Sequence, residues 1–205
     1  MRYLDFREQF KNFLVFSLND IKKADPSFHR QRLNEWQAKG YIKKIINEYY
    51  VFAGLEISEL DLFIIANKIY RPSYVSLESA LSYYNLIPEG VYSVTSITSK
   101  TTRNFETKIA PFSYRKIKSE LLFGYQLANH RGQSFKIAEI EKALLDYFYL
   151  SPQLKSEKDF REMRINPETF GDQVNFTGIK NYLRLFGNKS LESRINKFLK
   201  FMRNA

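Results

Sequence analysis

The spacing of apolar residues changes character near the start of the chain. Leu33 and Trp36 stand three apart, with Phe28 or His29 one turn earlier, the repeat of a helix buried on one face. Past Gly40 the pattern becomes two short β-prone runs, 41–46 and 49–52, joined at Asn47-Glu48. Ahead of that helix, Ser17 is a good N-cap and Asp20 can complete a capping box, so a short helix runs to about Ala24. Asp25-Pro26-Ser27 is turn chemistry, because Pro26 disfavours helical backbone at Asp25; Ser27 is a candidate cap for the next helix. Gly40 stops that helix in a left-handed conformation. Leu4, Phe6 or Arg7, Phe10 and Phe13 predict an earlier amphipathic helix packed under the others. Helix, tight turn, basic helix, glycine stop, two-stranded ribbon: this order predicts a winged helix-turn-helix over residues 1–52, whose second motif helix fits the major groove of duplex DNA.

Ala53-Gly54 opens the connection to a second unit, residues 53–205. Ser58-Glu59-Leu60-Asp61 has the form of a capping box and predicts a helix to about Ile69, broken at Arg71-Pro72. A second helix is expected over 76–84, ended by Asn85 and Pro88. From Val91 the period falls to two, predicting half-buried antiparallel strands at 91–98, 103–109, 112–117, 121–127 and 134–137. Helical spacing returns over 138–150, with Ile140, Ala143, Leu144, Tyr147 and Phe148 on the buried side and Pro152 as the stop. Three more helices are expected near 156–163, 178–186 and 190–203. The predicted fold class is α+β: a winged helix-turn-helix, then a mixed domain with an antiparallel sheet and packed helices.

Composition narrows the function classes. The 205 residues are 44% apolar, with 18 Phe and 14 Tyr, enough for an aromatic-rich core. No run of about 18 uncharged apolar residues exists, so no membrane span is expected. The first residues lack an apolar signal region, which predicts a cytoplasmic protein. No Cys and only His29 and His130 argue against a metal centre; no cofactor is expected. The net charge of +10 sits at the ends: +4 over residues 1–52, +1 over 53–150 and +5 over 151–205. Basic ends suit a protein that meets a polyanion with its head.

The helix face opposite Leu33 and Trp36 presents Ser27, Arg30, Gln31 and Asn34. Arginine contacts guanine bidentately, and glutamine or asparagine contacts adenine. Arg32 and Lys39 flank this face and are expected to reach phosphates, and Lys43 and Lys44 lie on the wing, where one of them can touch the backbone or minor groove. The competing reading is a winged unit that binds protein through a solvated basic face.

An ordered series of segments carries a resemblance. Tyr70-Arg-Pro-Ser-Tyr-Val-Ser-Leu-Glu-Ser-Ala-Leu-Ser-Tyr-Tyr-Asn-Leu-Ile-Pro-Glu is followed by Val91-Tyr-Ser-Val-Thr-Ser, Thr102-Arg-Asn-Phe, Phe112-Ser-Tyr, Phe123-Gly-Tyr and Ala138-Glu-Ile-Glu-Lys-Ala-Leu-Leu-Asp. Over about residues 10–150 the chain resembles the AbiEi antitoxins of bacterial abortive-infection toxin–antitoxin systems. The resemblance implies a regulator that binds inverted repeats in its own promoter and represses its operon. It also implies that the C-terminal part counters a nucleotidyltransferase toxin, and that Arg71, Pro72, Tyr74, Ser76, Glu78, Ser79 and Ala80 fall in the segment opening the C-terminal domain. One head covers a half-site, so an inverted repeat needs two copies, from a weak dimer or from monomers loading cooperatively. A general regulator without a toxin partner is the alternative.

Glu139, Glu141, Lys142 and Asp146 are the richest candidates for catalysis, as in a metal-dependent nuclease. Carboxylates at a helix N-terminus and a Glu139–Lys142 surface pair explain them better, so no catalytic residue is assigned. Lys100, Arg103, Lys108, Arg115, Lys116 and Lys118 decorate the predicted strands. They form either a second basic surface, for a toxin, RNA or flanking DNA, or the charges that keep sheet edges from pairing. In the tail, Lys180, Arg184, Lys189, Arg194, Lys197, Lys200 and Arg203 alternate with apolar residues as in packed amphipathic helices.

Overall fold

The computed structural model of the chain describes residues 1–88, 90 and 92–204. The first elements are α1 (Tyr3–Phe10), β1 (Phe16–Ser17), α2 (Leu18–Ala24), α3 (Gln31–Ala38), β2 (Ile42–Ile46) and β3 (Tyr49–Phe52). Ser17 opens α2 as expected: its hydroxyl accepts from the Asp20 amide (3.1 Å), and Asp20 accepts from the Ser17 amide (2.8 Å). Ser27 does not cap α3. It donates its amide (3.0 Å) and hydroxyl (2.6 Å) to Asp25 Oδ1, while α3 starts after Arg30 with no side-chain cap. An aspartate two residues back satisfies the serine locally, so the turn consumes it. Gly40, at φ 69°, ends α3, and the Tyr41 amide reaches back to the Trp36 carbonyl at 2.9 Å. The three strands form an antiparallel sheet in the order β1-β3-β2. Phe6, Leu33, Trp36 and Ile42 close a small core between helices and sheet, with the Phe6 and Trp36 rings stacked at 4.6 Å.

The rest of the chain comprises α4 (Glu59–Ile69), β4 (Ser73–Val75), α5 (Leu77–Tyr83), β5 (Val94–Thr98), β6 (Arg103–Phe105), β7 (Phe112–Lys116), β8 (Tyr125–His130) and β9 (Gln133–Ala138). Then come α6 (Ile140–Leu150), α7 (Glu157–Glu162), α8 (Pro167–Gln173), α9 (Phe176–Phe186) and α10 (Lys189–Met202). The chain is α+β. Its six-stranded sheet, β6-β7-β5-β4-β9-β8, is mixed where an antiparallel one was expected: β5 with β7 and β4 with β9 run parallel. Alternation marks a half-buried strand and carries no information about its neighbour's direction. The central strand β4 was missed, since its three residues are all buried and do not alternate. The run expected at 121–127 is cut by Gly124, at φ 66°, so β8 starts at Tyr125. In the tail α8 was also missed, although Asn166 caps it (Thr169 amide, 3.1 Å) and Pro167 sits at its first position. Val91 and Glu89 lie outside the described residues.

Inside the larger core, α6 carries Lys142 and Asp146, both fully enclosed. They form an ion pair, so the expected surface pairing of Lys142 with Glu139 is not found. Lys142 donates to the Tyr74 hydroxyl (2.7 Å), and Tyr74 (2.8 Å) and Ser76 (2.9 Å) donate to Asp146 Oδ2. Burial pushes the Asp146 carboxyl up and the Lys142 ammonium down, each against the attraction of the other. Residues of the first 52 join this core through Leu14, Val15, Ile45 and Val51. Between head and body, Lys68 donates to the Val15 carbonyl (2.8 Å) and lies 3.6 Å from Asp20.

Removing one partner of an enclosed ion pair strands the other. Lys142→Ala is therefore expected to cost about 3–5 kcal/mol in chemical denaturation; a loss under 1 kcal/mol would show the pair to be dispensable. Burial raises the Asp20 carboxyl, but bonds from the Ser17 amide and hydroxyl, with Lys68 nearby, outweigh it and hold the group below its ordinary value. A depressed folded-state pKa gives stability that is present above the unfolded value of about 4 and lost as pH falls through the folded one. Asp20→Asn should thus cost about 1 kcal/mol at pH 7, and urea unfolding should show the gap narrowing in acid below about pH 4.

A candidate nucleic-acid interface

Leu33 and Trp36 anchor one side of α3 in the small core, which turns the other side outward. Gln31, Asn34, Glu35 and Ala38 form the exposed stripe, and no later segment of the chain covers Gln31 or Asn34. Eight residues make a rod of roughly 12 Å, comparable to the width of a major groove. Arg30, just ahead of α3, is exposed and reaches Asn47 Oδ1 in the β2–β3 turn at 3.5 Å. Burial pushes the Tyr50 hydroxyl above its ordinary value, against the opposing charge of Arg30 beside it. Ser27 and Lys39 are exposed at either end.

Two of the expected phosphate contacts change position. Arg32 is partly buried, and its Nη1 donates to the Met1 carbonyl, so its guanidinium braces the chain start against α3. Leu33 and Trp36 fix the rotation of the helix and leave Arg32 at the boundary of the core. Lys43 and Lys44 are both exposed but point to opposite faces of the strand, as neighbours in a strand must. Lys44 faces the same way as its partner Tyr50, which lies in the small core beside Arg30. Lys43 pairs with Val51, whose side chain belongs to the larger core. Of the two β2 lysines, Lys44 is thus the one on the α3 side. Sequence reasoning missed Asn47 and Glu35; the helical repeat already placed Glu35 beside Gln31, whereas the approach of Asn47 to Arg30 came only with the folding of the β2–β3 turn.

The six cations on the larger sheet do not make one surface. Arg103 is in register with Tyr114, whose hydroxyl donates to Ala66 of α4 (2.7 Å), and Lys116 follows on that same face. Lys100 stands 5.5 Å from the Tyr70 ring. Arg115 points to the opposite face, alongside Ser113, and Lys118 lies 4.0 Å from Glu120. Lys108 is exposed between β6 and β7. Register alternation divides what the linear sequence groups together. In the tail, Arg194 leaves the cationic face: it is buried and donates to the Phe148 (2.7 Å) and Ser151 (3.0 Å) carbonyls. Those carbonyls sit at the end of α6, which explains why a cation is held there.

The candidate catalytic cluster is occupied structurally. Glu141 accepts from the Asn175 amide (2.6 Å) and Glu139 from the Tyr182 hydroxyl (2.5 Å), while Lys142 and Asp146 are sealed from solvent. Ser58, Asp61 and His130 also converge, but Ser58 (3.4 Å) and Asp61 (3.3 Å) both meet the same ring nitrogen, Nε2. A catalytic relay needs the two on different nitrogens. Among the described residues, no three His, Asp or Glu side chains gather as a metal site requires, and no helix is long and apolar enough to cross a membrane.

These placements separate a side chain that braces the fold from side chains that are free. Arg32→Ala should lower the thermal midpoint, whereas Gln31→Ala and Asn34→Ala should stay within about 0.5 kcal/mol of the parent. Equal losses in calorimetry for all three would contradict the assignment. Compared with known proteins, the sequence matches no family model and no curated protein.

Proposed function

We propose that the chain is a promoter-binding autorepressor and antitoxin, with residues 1–52 acting as a winged helix-turn-helix. The observation that carries the DNA-binding part is the uncovered stripe of α3, with Gln31 and Asn34 free to enter a groove and Arg30 beside them. Gln31 and Asn34 contact adenine edges and Arg30 a guanine. Lys39 and Lys44 hold phosphates. The antitoxin part rests on the likeness of residues 10–150 to the AbiEi antitoxins, and its partner is a nucleotidyltransferase toxin restrained without chemistry by this chain. Two copies occupy an inverted repeat, one head per half-site. Lys142 and Asp146, the residues a nuclease would need, serve the core instead.

The chain is expected to shift DNA from upstream of its own reading frame in a native gel. Gln31→Ala or Asn34→Ala should each weaken the specific complex about 5- to 150-fold, the equivalent of 1–3 kcal/mol per bidentate contact. Affinity should fall by about 0.9 logarithmic units per neutralised phosphate for each tenfold rise in salt. Absence of any shift at low salt would remove the DNA-binding part. Co-expression with a nucleotidyltransferase encoded beside it tests the antitoxin part through rescue of growth.

A further inference from the structure

The exposed stripe of α3 contains a carboxylate. Glu35 lies one turn past Gln31, so at 100° per residue it projects about 40° from Gln31, at the edge of the stripe that runs Asn34, Ala38, Gln31, Glu35. It is exposed, and among the described residues no cation lies within ion-pair distance of it. Lys39, four residues on, has the spacing for a helical ion pair, yet it stands beyond the last turn with φ −79° and ψ 0° and forms none. An unpaired negative charge on the edge of a surface meant for a polyanion, next to Gln31, opposes binding unless it meets a donor. Along the major groove edge the pyrimidine donor is the N4 amino group of cytosine, the partner that glutamate accepts from.

We propose that Glu35 is a specificity residue: it accepts from a cytosine amino group in the half-site, and it disfavours every duplex that puts guanine, thymine or a phosphate in that place. This rests on the DNA-binding reading above. The same carboxylate supplies attraction at the correct site and repulsion elsewhere, so it widens the gap between specific and non-specific binding. Gln31 and Asn34 lack that second effect, because a neutral amide tolerates a nearby phosphate. Glu35, one of the acids that bring residues 1–52 to a net +4, holds back the sequence-independent affinity that phosphate contacts would otherwise dominate.

The test is selection of bound sequences from a randomised duplex pool by the full chain and by Glu35→Ala and Glu35→Gln, with non-specific affinity measured on an unrelated duplex. The wild-type chain should enrich a cytosine at one half-site position, with a loss of about 5- to 150-fold for guanine or thymine there. Glu35→Ala should flatten that position alone and bind the unrelated duplex several-fold more tightly at low salt. Glu35→Gln should move the preference towards adenine, the partner of a neutral amide. Unchanged melting of both variants separates these effects from misfolding. An unaltered base preference in Glu35→Ala, or tighter non-specific binding without loss of any preference, would overturn the proposal while leaving DNA binding intact. A wild-type chain that enriches nothing and shifts no duplex would remove the DNA-binding reading itself, and this proposal with it.

Discussion

An enclosed ion pair organises the larger part of this chain. Lys142 and Asp146 lie one turn apart on α6, and neither has exposed surface. Two buried charges are tolerable only when every polar atom around them is satisfied, so the pair dictates its surroundings. Tyr74 and Ser76 supply the hydroxyls, which places β4 and the start of α5 against α6. The rings of Tyr74, Phe123 and Phe186 stand 5.0–5.3 Å from the ammonium, which draws in α9 and the segment before β8. Gly124, with Lys142 Cγ only 3.0 Å from where a side chain would begin, lets that segment pass close over the lysine. A position that reads as catalytic in the linear sequence is thus the point where sheet, α6 and tail helices meet.

The small core imposes a second constraint, on rotation. Aromatic rings fill it: Trp36 stacks on Phe6 at 4.6 Å and meets Phe28 at 5.5 Å. Planar rings packed at these distances allow α3 one azimuth, and that azimuth decides which polar side chains are free. Lys68, bonded to the Val15 carbonyl, and Gln133, bonded to the Asn12 carbonyl at 3.1 Å, then fix this unit to α4 and to the β8–β9 turn. Burial lowers the pKa of Lys68, against the opposing charge of Asp20 nearby.

Sorting the cations by what they touch changes the meaning of the net charge. Arg32, Lys68, Lys142 and Arg194 are engaged with carbonyls or a carboxylate inside the protein. They add to the formal charge but offer little to a partner. Arg30, Lys39 and Lys44 remain outward beside α3. The exposed surface is therefore less basic than +10 suggests, and the α3 stripe itself carries an acidic group, Glu35.

Local chemistry made several features legible from the residue order. Ser17 with Asp20 and Ser58 with Asp61 cap α2 and α4 as their spacing predicts, and Gly40 ends α3, because each of these interactions closes within about five residues. The outward position of Gln31 and Asn34 follows from the helical repeat once Leu33 and Trp36 are assigned to the core. Long-range contacts settled the rest. Whether β5 and β7 run parallel, whether Ser73–Val75 becomes a central strand, and whether Arg32 braces the chain start or Arg30 meets the β2–β3 turn all depend on segments distant in sequence. A charge, a hydroxyl or a short apolar run has the same local propensities in either role; the body packed over it in three dimensions decides between burial with a partner and exposure to one.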